Sequence, residues 1–142
     1  MYKKILVALE NSKADASLLP HISELATLAG SELLLVHVAD GWAAWNAEQL
    51  SLAESEEIKM DRAYLAATAD ALRTKGLRVE TELVMGNPPQ QILRTAEKQH
   101  CDLIAMTSHG HKLIGDLFRG STISKVRHNT KIPLLVVRAT SV

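Results

Sequence analysis

The sequence predicts an α/β domain: a single open, doubly wound, five-stranded parallel sheet with four helices, Rossmann-like in kind. Three observations carry that prediction. Short apolar runs alternate with helical patterns in the order β-α-β-α-β-α-β-α-β, which favours right-handed crossovers and one sheet covered by helices on both sides. Four of the runs are almost continuously apolar rather than alternating, as parallel strands buried on both faces are. Finally, 142 residues, 46% of them hydrophobic, suit one domain over 1–142 with a real core.

The elements follow in order. The first strand is read over Lys4–Leu9. Leu18, Ile22, Leu25, Ala26 and Ala29 then recur at helical spacing, with Gly30 placed to cap the C-terminus. Pro20 lies within that pattern and predicts a kink there or a helix start near Leu19. The second strand is Leu33–Val38. Residues 39–50 form the one irregular stretch and hold both tryptophans, Trp42 and Trp45. A long helix is expected from about Leu50 to Lys75, ended by Gly76. Arg78–Val84 alternates apolar and polar residues, as an edge strand does. Asn87-Pro88-Pro89-Gln90 opens the third helix, with a capping side chain, proline at the first helical position and glutamine at the capping-box site. Leu103–Thr107 is the fourth strand. The fourth helix is read as starting after Gly120-Ser121, with Ile123 and Val126 on one face. Pro133–Val137 is the closing strand.

Charge and cysteine usage narrow the function. Sixteen basic residues balance sixteen acidic ones, which gives no argument for a nucleic-acid or membrane partner. No apolar run approaches the ~20 residues of a membrane span, and the N-terminal apolar stretch is too short for a signal peptide. The one cysteine, Cys101, excludes an internal disulfide; a reducing, cytoplasmic location fits, with Cys101 read as a buried, inert side chain. The charge is nonetheless uneven. Residues 40–61 carry a net −5 (six acids, one base), whereas residues 109–138 carry +5 (six bases, one acid).

That basic segment contains the most informative stretch: Met106-Thr107-Ser108-His109-Gly110, nine further residues, then Gly120-Ser121-Thr122. Glycines let the backbone approach a ligand closely, and free amides at a helix start bind anions, with hydroxyls alongside. An ordinary strand-exit turn followed by a helix cap would also place glycines here. The positive local charge favours phosphate.

The chain resembles the universal stress protein family along essentially its whole length. The ATP-binding members of that family carry Gly-x-x-Gly, nine residues, then Gly-Ser or Gly-Thr, after the fourth strand; here Thr107-Ser108-His109-Gly110 and Gly120-Ser121 stand at those places. Ile5-Leu6-Val7-Ala8-Leu9-Glu10-Asn11-Ser12 is similar to the family's first strand and its exit. Val36-His37-Val38, Met85-Gly86-Asn87-Pro88 and Ile132-Pro133-Leu134-Leu135-Val136-Val137 match three further landmarks in order. Two departures stand out. Thr107 replaces the first motif glycine, narrowing the space beside the ribose, and Glu10 stands where aspartate is usual.

The resemblance implies a sheet in the order 3-2-1-4-5, with strands one and four flanking the point where strand order reverses and ligands bind. It implies an adenine-nucleotide-binding regulatory module holding ATP, with ADP or AMP as alternatives, together with Mg²⁺. In that module Ala8, Leu9 and Glu10 line base and ribose, and Val38 offers its backbone to adenine. Met106 leads into the motif, Thr107, His109 and Gly110 flank the ribose and first phosphates, and Gly120, Ser121 and Thr122 cradle the terminal phosphates. No catalytic residue is assigned, and ATP hydrolysis is at most slow. Assembly is expected to be a homodimer through the Pro133–Val137 edge strand, with other protein partners unnamed. The alternative is a nucleotide-free dimeric scaffold acting by protein interaction.

Other chemistries are excluded or outweighed. A receiver domain needs an acidic pair after the first strand and a phosphorylatable aspartate after the third; the chain has Glu10-Asn11 and Val84-Met85-Gly86. A Rossmann dehydrogenase needs Gly-x-Gly-x-x-Gly after its first strand, and Leu9-Glu10-Asn11-Ser12 has no glycine. Ser121, His109 and Asp116 lack the nucleophile-elbow pattern of a hydrolase triad. His109, His111 and Asp116 are too few and too loosely placed for a metal site. His37, in an apolar strand, reads as a hydrogen-bonded core residue.

Overall fold

The computed structural model describes residues 1–40, 51–109 and 117–140. Strands and helices alternate as β1 (Lys4–Ala8), α1 (Asp15–Ala29), β2 (Glu32–Asp40), α2 (Ser51–Arg73), β3 (Val79–Gly86), α3 (Pro88–Lys98), β4 (Leu103–Ser108), α4 (Leu117–His128) and β5 (Leu134–Arg138). The strands form one parallel sheet in the order β3-β2-β1-β4-β5, as expected. The continuously apolar runs earn their places physically. Alternate residues of each central strand face opposite helical layers, so both parities must be apolar.

One layer joins Ile5, Val7, Leu33 and Leu35 to Leu18 and Ile22 of α1 and to Leu65 and Ala69 of α2. The other joins Leu6, Leu34, Val36 and Ile104 to Ile92 and Ala96 of α3 and to Val126 of α4. Ile5, Leu6 and Val7 are completely buried, and each side chain of that size stabilises the fold by roughly 1.5–3 kcal/mol. Because β1 pairs with β2 on one side and β4 on the other, the order reverses between β1 and β4. A crevice therefore opens above their C-terminal ends.

Two helices start earlier than the sequence suggested. Helix α1 begins at Asp15 and continues through Pro20 to Ala29, closed by Gly30 in the left-handed conformation (φ 69°). Pro20 lies on the exposed side, where the carbonyl deprived of its partner can bond to water, so the proline neither delays nor ends the helix. Helix α4 begins at Leu117, so Gly120 and Ser121 fall in its first turns instead of ahead of it. A single glycine costs a helix only about 1 kcal/mol, which flanking helix-forming residues can outweigh. Helix α3 opens as read: the Asn87 side chain accepts from the Gln90 amide (3.3 Å), with proline filling the first positions.

Cys101 sits in the second core layer, 5% exposed. Burial, only partly offset by Lys4 nearby, pushes its thiol up to about 11 from 9.0. The neutral thiol is the form the fold favours. Its contribution to stability is complete below pH 9 and is lost as pH climbs toward 11. At pH 9, iodoacetamide should label the native protein at least tenfold more slowly than the urea-unfolded chain; equal rates would mean an accessible thiolate.

Candidate functional site

The turn leaving β1 is held at every residue. The Leu9 amide donates to the Val36 carbonyl (2.8 Å), and the Leu9 carbonyl faces His37 Nδ1 at 2.9 Å. The Glu10 and Asn11 amides donate to the two carboxylate oxygens of Asp15, at 3.0 and 2.9 Å. Asn11 takes a left-handed backbone (φ 58°), which asparagine tolerates better than most residues. Asp15 is 2% exposed and also accepts from the Tyr64 hydroxyl of α2 at 2.5 Å. Burial, and then the bond to Asp15, raise the tyrosine above its ordinary pKa, so it remains a donor throughout the neutral range.

Above this turn lies a cavity of about 400 Å³, a size suited to a small organic ligand. Its apolar lining includes Ala8, Val36, Val38, Ile92 and Met106, with Pro88 at the entry to α3. Gly86 enables that entry: it has φ 131°, and a Cβ there would stand 3.1 Å from the Gln91 side chain. The cavity's polar lining includes Glu10, Asn11, His37, Thr107 and Thr122, with Glu57 and Asp61 from α2.

The two residues that depart from the family pattern meet in this cavity. The Thr107 hydroxyl donates to Glu10 Oε2 at 2.7 Å. His109 Nε2 lies 2.7 and 2.9 Å from the two Glu10 oxygens, and its side chain is 4% exposed. From the turn leaving β1, the longer glutamate side chain thus reaches across to the exit of β4. Thr107, itself 3% exposed, fills the glycine position with a donor aimed at that carboxylate.

The structure brings together Ala8, Leu9, Glu10, Val38, Met106, Thr107 and Thr122 as lining residues, with His109 bonded to Glu10. Gly110 lies outside the described residues, as do Trp42, Trp45, His111 and Asp116. Gly120 and Ser121 belong to the start of α4, within a turn of Thr122. Sequence reading missed Asn11, Glu57 and Asp61, and it took His37 for a core residue. His37 is hydrogen-bonded, but it also lines the cavity. Glu57 and Asp61 are four residues apart on one helix, a spacing that announces a shared face.

Comparison with known proteins follows this geometry. The model of the universal stress protein family matches residues 1–138. Universal stress protein MJ0577 of Methanocaldococcus jannaschii is 28% identical over 160 residues, covering 97% of this chain and 96% of that protein. The MJ0577 structure superposes with a TM-score of 0.86 at 27% identity, covering 100% and 99% of the two chains. A universal stress protein solved in complex with cAMP shares the fold (TM-score 0.72, 18% identity, 98% of each chain). So does the Archaeoglobus fulgidus protein solved with dAMP (TM-score 0.70, 22% identity, 96% and 98%).

The Tyr64–Asp15 bond ties α2 to the turn beneath the cavity. Tyr64→Phe removes one donor to a buried carboxylate and should cost about 2 kcal/mol in urea unfolding. An unchanged midpoint would show that the bond contributes nothing to stability.

Proposed function

Because the chain belongs to the universal stress protein family, we propose that it is an adenine-nucleotide-binding regulatory module of the stress response, with ATP as ligand and ADP or AMP as alternatives. The observation that carries this reading is the cavity at the reversal point, lined by both apolar and polar side chains. Its apolar side chains offer contact area for a flat base, and among its polar ones Glu10 presents a carboxylate, an acceptor for sugar hydroxyls. Thr122 lines the same cavity from the second turn of α4, where its hydroxyl would offer a hydrogen bond to phosphate. The two fold neighbours solved with cAMP and dAMP are consistent with an adenine nucleotide. Among the described residues no group of three histidine, cysteine or acidic side chains is arranged to hold a metal. Mg²⁺ would accordingly arrive on the phosphates, keeping most of its waters.

Glu10 is the residue to test. Glu10→Ala should weaken ATP binding at least tenfold, about 1.4 kcal/mol, as read by calorimetry on the folded variant. Equal affinity would remove Glu10 from the site. A wild-type protein that neither co-purifies with adenine nucleotide on acid extraction nor binds any would instead favour a nucleotide-free scaffold.

We also propose a homodimer through β5. This strand is a sheet edge, and Val136 is 42% exposed there, unusual for a large apolar residue on a strand. Pairing with its twin would satisfy the free edge and cover Val136. In sedimentation the wild type should run as two chains and Val136→Lys as a folded monomer; a wild-type monomer at micromolar concentration refutes the dimer.

A further inference from the structure

Asp61 stands apart from the residues that the motif accounts for. It belongs to α2, is 8% exposed, and lines the cavity without lying on the turn beneath it. Its two oxygens reach two different supports of that turn. Oδ1 accepts from the Asn11 side-chain amide at 2.8 Å, and Oδ2 lies 3.5 Å from His37 Nε2. His37 in turn holds the Leu9 carbonyl through Nδ1. A carbonyl oxygen can only accept, so Nδ1 carries a hydrogen. With a neutral ring Nε2 would present a lone pair to the carboxylate; with both nitrogens protonated it forms an ion pair.

We infer that Asp61 is a positioning residue of the nucleotide site: by bridging Asn11 and His37 it fixes the β1 exit turn on both sides of Glu10, and so sets the Glu10 carboxylate for its ligand. The inference rests on the nucleotide reading above for the identity of the ligand. Three consecutive residues are involved. Leu9 is held through His37 and Asn11 through its side chain, both ending on Asp61, while Glu10 between them faces Thr107 and His109. Without Asp61, the left-handed Asn11, in a conformation uncommon for a residue with a side chain, would keep only the Asp15 bond to its amide, which leaves the turn room to shift. That movement would carry Glu10 with it.

Two variants separate bridging from mere bulk or charge. Asp61→Ala removes both arms. Asp61→Asn keeps an acceptor for Asn11 and supplies an amide donor for a neutral His37 Nε2. Calorimetric titration with ATP should give at least tenfold weaker binding for Asp61→Ala and affinity within about threefold of wild type for Asp61→Asn. In the ligand-free proteins, the ¹H–¹⁵N amide signals of Glu10 and Asn11 should shift in the alanine variant and return toward wild type in the asparagine variant. If Asp61→Ala does not fold, Asn11→Gly, which tolerates the same backbone angle and removes one arm, should show the same shifts at Glu10 and weaker ATP binding. Wild-type affinity with unmoved Glu10 and Asn11 signals in Asp61→Ala overturns the inference, as does an asparagine variant that binds as poorly as the alanine one. Failure of every protein to bind ATP would overturn the nucleotide reading instead, and the ligand-free amide signals would still decide whether Asp61 sets the turn.

Discussion

Three donors from two parts of the chain converge on the carboxylate of Asp15: the adjacent amides of Glu10 and Asn11 and the distant hydroxyl of Tyr64. A carboxylate buried this deeply is tolerable only when its lone pairs are filled, and here the filling organises the molecule. Asp15 begins α1, so the first turn of that helix, the exit of β1 and the middle of α2 are fixed to one another by a single side chain. The floor of the cavity, although made of loop, is thereby tied to two helices.

This arrangement explains why an apparently unfavourable pair of substitutions works. A threonine in place of glycine reduces room, and a glutamate in place of aspartate carries its charge further. Together they form a bond across the β1–β4 crevice, joined by His109. The turn keeps the backbone of Glu10 in place, so its longer side chain can reach the next strand without loosening the floor.

Much of this was legible from residues alone. Ile5-Leu6-Val7 and Leu33-Leu34-Leu35 announced buried parallel strands because no other position needs apolar side chains of both parities. Asn87-Pro88 announced a helix start because capping is local chemistry. The start of α1 was less legible: Pro20 pointed to a later start, and nothing near Asp15 in the sequence announces that its carboxylate also meets Tyr64, forty-nine positions away. The site shows the same division. Glu10, Thr107 and His109 were each recognisable from motifs, but their mutual bonds span about a hundred residues and depend on the β1–β4 pairing. Glu57 and Asp61 were missed for a related reason. Which face α2 turns toward the crevice is fixed by Leu65, Ala69 and Leu72 packing on the sheet, not by any feature of the acids themselves.

The two margins of the sheet differ in a way that bears on how far association can proceed. β3 ends the sheet with Arg78 just before it and Glu80 exposed upon it, and charge on a margin discourages strand addition. β5 ends it with an uncharged run as far as Arg138. Two chains meeting through β5, as proposed, would use up both receptive margins at once and present only charged ones outward, so growth would terminate at a pair. Were β3 equally receptive, the same geometry would permit open-ended ribbons, in which every chain added exposes a new place for the next.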